Sequence, residues 1–230
     1  MKIQTKLMGL AAAGAVVFAS VAPANAVPTI RYSVNGGMSI DVADQAMGVD
    51  DDSDAGSVSI NVFTPVFMGE IVAAITKPAA GSAALPVMSL NISGTGVGAG
   101  TKTLEVWFTE TDFGPTSAAL LTDLATSGQG SWMATAWVSD SNVAFAETTL
   151  LTMLVGSNTS SVGPVPANLP SDPFTTYSIT TYLKLTLNGT VSANGGITTR
   201  ANLPDGGSTV AFLGMALVAV EGVRRKFAKA

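Results

Sequence analysis

The 230-residue chain contains no cysteine and no histidine. Without cysteine there is no disulfide framework and no thiolate nucleophile. Without histidine the commonest general base is missing, and with it the Ser-His-Asp triad and most zinc sites. Charge is scarce as well: 11 basic and 16 acidic residues make up 12% of the chain. Between Val27 and Leu203 only Arg31, Lys77, Lys102, Lys184 and Arg200 are basic, against fourteen acidic residues, a balance of −9. So acidic a body excludes nucleic acid as a partner, because that recognition needs a basic face. The remaining positive charge sits at the two ends.

The N-terminal end begins Met1-Lys2-Ile3-Gln4-Thr5-Lys6 and runs into an apolar stretch from Leu7 to Val21, closed by Pro23-Ala24-Asn25-Ala26. A charged start, an apolar core and a small-x-small close form a secretory signal peptide. Ala24 and Ala26 mark the signal peptidase site, and cleavage is expected after Ala26. The expected organisation is a signal peptide helix over 1–26, a domain over 27–202 and a C-terminal segment over 203–230. The central part, about 175 residues, is the usual size of one domain.

That domain reads as antiparallel strands. In Ser57-Val58-Ser59-Ile60-Asn61-Val62 the even positions are apolar. Leu104, Val106 and Phe108 share one face of a second segment. In a third, Ile179, Leu183, Leu185 and Leu187 oppose Thr180, Tyr182, Lys184 and Thr186. Strict alternation marks strands with one buried and one wet face. Asn35-Gly36-Gly37 is a hairpin signal, and Asn188-Gly189 and Asn194-Gly195-Gly196 are further turn candidates. Ser117 to Ala125 could form a short helix, although its neighbours favour a strand. Gly156 to Pro173, with four prolines, and Gly94 to Gly100 are expected to be loops. The glycine run lacks the Lys-Ser/Thr of a phosphate-binding loop. Short strands separated by turns predict an all-β antiparallel sandwich.

The C-terminal end has three ordered parts: Leu203-Pro204-Asp205-Gly206-Gly207-Ser208-Thr209, an uncharged run from Val210 to Val220, and the cluster Arg224-Arg225-Lys226. As a helix, Ser208 to Val223 spans about 24 Å, short against a bilayer core of roughly 30 Å but workable if the cations snorkel. Glu221 can pair with Arg224 or Arg225 at helical spacing. The basic cluster suits the cytoplasmic side, with the body exported.

These residues resemble the PEP-CTERM class of bacterial sorting tails, and most nearly its VPDSG-CTERM variant, with Leu203 in place of Val. The resemblance implies a transmembrane sorting helix and processing by an exosortase, with Pro204, Asp205, Gly206, Gly207 and Ser208 as the substrate motif and Arg224, Arg225 and Lys226 as the membrane stop. It implies export, transient anchoring in the inner membrane, and then the cell surface or extracellular space. Stretches of the body such as "SVSINVF" and "TLEVWFTETDFG" resemble other proteins with this tail, which implies no activity.

Within the body, Asp50, Asp52 and Asp54 alternate as the first ligands of a calcium loop do. The glycine comes one residue late, however, and Asn61 stands where Glu is needed, which excludes an EF-hand. A looser calcium site or a solvated acidic turn remains; no cofactor is otherwise expected. Trp107 falls on the polar face of its strand beside Glu105. Trp132 and Trp137 are five apart and so point to opposite faces. They serve either packing or an exposed sugar-binding platform. Glu105, Glu110, Asp112 and Glu147 could pair as glycosidase carboxylates, but no spacing singles out a pair. The expectation is a non-enzymatic exported protein of the envelope or extracellular matrix. The alternative is a surface carbohydrate-binding module with extracellular polysaccharide as its partner.

Overall fold

The computed structural model describes residues 26–114, 119–169 and 176–202. The expected signal peptide over 1–26, apart from Ala26, and the expected C-terminal segment over 203–230 lie outside them. Among the described residues there are twelve strands and no helix. They are β1 (Thr29–Val34), β2 (Ile40–Ala43), β3 (Ser57–Phe63), β4 (Phe67–Ile75), β5 (Val87–Gly96), β6 (Thr101–Phe113), β7 (Leu120–Gly128), β8 (Ser131–Ser139), β9 (Thr149–Ser157), β10 (Ser160–Ala167), β11 (Tyr177–Asn188) and β12 (Ser192–Ala201). The first sheet has the order β2-β1-β6-β11-β8-β9, and the second β10-β7-β12-β5-β4-β3. Every pair is antiparallel.

The alternating apolar sets close the space between the sheets. Ile30, Leu104, Val106, Phe108, Leu183 and Leu185 come from the first sheet, and Val58, Ile71, Leu90, Ile92, Leu124 and Ile197 from the second. Removing such side chains from water is the main favourable term in folding, at about 25 cal/mol per Å² of apolar surface. The residues between them point away from the core and form the outer face of each sheet. The expected β-sandwich is therefore the fold of the body.

Several local expectations are corrected. Asn194-Gly195-Gly196 is not a turn but the middle of β12, paired with β5 and β7. Its glycines make room: a Cβ on Gly195 would stand 2.9 Å from the Trp132 indole, and one on Gly196 would strike the Asn91 amide. Gly156 to Pro173 is not a long loop either, since it holds the end of β9 and all of β10. β10 is an edge strand whose register shifts between Val162 and Val165. Proline, which cannot donate to a ladder, is tolerated there. For Ser117 to Ala125 the favoured strand reading holds from Leu120, where β7 begins.

The glycine run is a loop only over Val97 to Gly100, because Gly94 to Gly96 belong to β5 and pair with its neighbours; the short connection to β6 is pinned. The buried Lys102 ammonium donates to the carbonyls of Gly98, Ala99 and Gly100, and to that of Gly189 at 3.3 Å. The Asn35–Gly36 hairpin is as expected, with both residues at positive φ, 52° and 67°. It sets the β1–β2 register, with Tyr32 opposite Ile40 and Thr29 opposite Ala43.

Candidate functional site

The outer face of the first sheet carries a row of side chains that no single strand contains. Register aligns Arg31 on β1 with Trp107 on β6, Trp107 with Tyr182 on β11, Tyr182 with Thr135 on β8, and Thr135 with Met153 on β9. The neighbouring row places Thr109 beside Thr180, Thr180 beside Trp137, and Trp137 beside Leu150. On the other side, Glu105 faces Lys184 and Lys184 faces Met133.

Three aromatic rings therefore meet on one sheet face. The Trp107 and Tyr182 rings lie 4.8 Å apart, tilted by 43°, and the Trp137 and Tyr182 rings 6.2 Å apart, tilted by 55°. Tyr182 forms the floor at 6% exposure. Trp107 and Trp137 are half-buried beside it. With Met133, Leu150 and Met153 they line a shallow depression of about 420 Å³. Leu150 and Met153, on edge strand β9, are 55% and 60% exposed.

Polar groups are fixed around this floor. The Tyr182 hydroxyl donates to Glu105 Oε1 at 2.8 Å, and Lys184 Nζ donates to the same oxygen at 3.1 Å. Burial, with the Glu105 bond and charge behind it, pushes the Tyr182 phenol above its ordinary range, so it remains a neutral donor. The indole N–H of Trp107 donates to Glu147 Oε1 at 3.0 Å. Glu147 belongs to the β8–β9 connection, which folds back over the sheet. The backbone N–H of Phe145 reaches Thr109 Oγ1 at 3.0 Å, and the carbonyl of Val143 accepts from Ser178 at 2.8 Å. The Arg31 guanidinium lies 4.0 Å over the Phe145 ring and grips both oxygens of Asp41 at 2.7 Å. That pair raises Arg31 and lowers Asp41, chiefly through their hydrogen bonds.

Trp132, by contrast, is a core residue at 3% exposure, so Trp132 and Trp137 do point to opposite faces. Tyr182 had been legible only as a polar-face residue, because its place in the cluster depends on the registers of β6, β11 and β8. The opposite outer face, on the second sheet, is a polar surface of Asn91, Asp123, Asn194 and Thr198.

The four carboxylates considered for catalysis fall at two separate places. Glu105 and Glu147 rim the aromatic depression. Glu110 points inward, is 1% exposed and pairs with Lys77 at 3.2 Å. Asp112 accepts from Asn142 Nδ2 at 2.6 Å, and its own N–H donates to Asn142 Oδ1.

The acidic loop turns its carboxylates onto its own chain. Asp50 accepts from the N–H groups of Gln45, Asp52 and Ser59. Asp52 accepts from Asp54 N–H and from the Ser57 hydroxyl, bonds that hold it below its ordinary range. Asp51 accepts from Asn61. Among the described residues no three acidic side chains converge as metal ligands.

The C-terminal end matches a known motif. Residues 204–227 match the VPDSG-CTERM motif, so the chain carries a PEP-CTERM-like sorting signal. No curated protein sequence matches the chain. Among solved structures, that of TmCBM61 in complex with beta-1,4-galactotriose aligns at 10% identity with a TM-score of 0.32, covering 62% of this chain and 99% of that one. The structure of infectious bursal disease virus, Gx strain, aligns at 15% identity with a TM-score of 0.24, covering 77% and 52%.

Proposed function

We propose that this protein is an exported, non-catalytic component of the cell surface or extracellular matrix, and that it holds extracellular polysaccharide on the outer face of its first sheet. The sorting tail supports the first half: it is the address of a protein processed by signal peptidase and then by an exosortase, with the inner membrane as a transient anchor. The second half rests on one observation, the meeting of Trp107, Tyr182 and Trp137 on an open sheet face with carboxylate and ammonium groups at the rim.

The chemistry of that face suits a sugar. Aromatic faces carry negative quadrupole charge, and the C–H bonds on one side of a pyranose ring are weakly positive. Glu105, Glu147 and Lys184 can exchange hydrogen bonds with hydroxyl groups at the ring edge. A shallow, rigid face built on strands binds without ordering a loop, which limits the entropic cost of association. A long polymer can cross such a face where a deep pocket would admit only its end.

The test is affinity electrophoresis of the released protein through gels containing extracellular polysaccharide from the producing cells. Retardation, with quenching or a blue shift of tryptophan emission, is the expected result. Unretarded migration in every such polysaccharide, with unchanged emission, would remove the binding half and leave a purely structural surface protein.

A further inference from the structure

Two carboxylate oxygens at one end of the sandwich are buried yet have no hydrogen-bond partner: Oδ1 of Asp44 and Oε2 of Glu110. Asp44 follows β2 and Glu110 lies in β6, the two strands that flank β1. The second oxygen of Asp44 accepts the Gly56 N–H at 2.7 Å. Oε1 of Glu110 accepts from Lys77 Nζ, which also donates to the Thr111 carbonyl at 2.7 Å. Asp112, held by Asn142, stands nearby. Among the described residues only Glu110 of these three carboxylates has an ammonium within ion-pair distance, that of Lys77. A buried carboxylate left unpaired costs far more than a paired one, so this end of the fold calls for a second positive group. Because no three acidic groups among the described residues converge as metal ligands, the fitting chemistry is an ammonium with several N–H donors.

Export itself can make that group. The Asp44 N–H donates to the Pro28 carbonyl at 2.8 Å, which continues the Thr29–Ala43 register one residue outward. Val27 is the next residue, and it lines the same cavity of about 700 Å³ as Asp44, Lys77 and Asp112. Hydrolysis of the Ala26–Val27 bond adds water, leaving a carboxylate on Ala26 and an ammonium on Val27. We propose that the α-ammonium of mature Val27 docks in this cavity as the counter-ion of Asp44 and Glu110, so that removal of the signal peptide completes the end of the sandwich. The inference rests on the export part of the reading above and is independent of polysaccharide binding.

The experiment uses the mature exported protein. Its first residue is read by N-terminal sequencing, and the rate of reductive methylation of the α-amine is followed by mass spectrometry across pH. An ordinary α-amine titrates at about 7.7–8.0, and an adjacent opposite charge raises such a group by about one unit or more. Labelling at pH 8 is therefore expected to be several-fold to about tenfold slower than for an ordinary amine. Asp44→Asn or Glu110→Gln should restore much of the rate. A start at Val27 with an ordinary amine overturns the docking and leaves export intact. A slowed amine indifferent to both substitutions also overturns it. A mature chain beginning elsewhere overturns the cleavage premise itself.

Discussion

The indole of Trp132, on β8 of the first sheet, rests against the backbone of Gly195, on β12 of the second. This contact crosses the whole core and explains a glycine that resembled a turn in sequence. Gly195→Ala should therefore destabilise the protein by about 1–3 kcal/mol through overpacking. Urea unfolding followed by tryptophan emission measures it. An unchanged midpoint would mean that Trp132 has another place to go.

Lys102 is predicted to act as a structural pin. Its ammonium satisfies carbonyls from both the β5–β6 and β11–β12 connections. Lys102→Met keeps the stem but removes charged hydrogen bonds worth about 1.5–3 kcal/mol apiece at most. A loss of at least about 2 kcal/mol, with faster amide exchange at Gly98 to Gly100, is the expected outcome.

Glu110 makes stability depend on pH. Burial raises its carboxyl to about 7, with Asp44 and Asp112 adding to the rise and Lys77 opposing it. The folded state therefore binds this proton more tightly than the unfolded chain, whose carboxyl titrates near 4.5. Stability from this group is full below that lower value and declines as pH rises towards 7, by on the order of 2–3 kcal/mol. Glu110→Gln should flatten the decline. A Val27 ammonium in the same cavity would shrink it, so chains blocked at the α-amine should show the steeper profile.

Calcium is not expected to hold the fold together. Asp50 accepts three backbone N–H groups, so its carboxylate is already a structural brace. Thermal melting should be the same with calcium or with a chelator, whereas Asp50→Ala should cost about 1–3 kcal/mol. A melting point raised by millimolar calcium and lowered by the chelator would contradict this.

Much of the fold was legible because its signals are local. Period-two patterns placed β3, β6 and β11, and Asn35-Gly36 placed the first hairpin. β10 was hidden because Pro164 and Pro166 read as loop, although an edge strand with a shifted register accepts them. The site was half legible. Alternation put Trp107 on a polar face and separated Trp137 from Trp132. Their meeting at Tyr182 depends on pairing between strands far apart in sequence, which no local pattern carries. The unpartnered oxygens of Asp44 and Glu110 were invisible for the same reason.

The central claim is tested most directly by calorimetric titration of the released protein with the producing cells' own extracellular polysaccharide. Trp107→Ala and Trp137→Ala are compared with Asn194→Ala on the opposite outer face. Loss of one stacking aromatic should weaken binding by about tenfold, equivalent to roughly 1.4 kcal/mol, and loss of both should abolish it, while Asn194→Ala binds as the native protein does. Equal binding by all five proteins, or a loss confined to Asn194→Ala, would contradict the account.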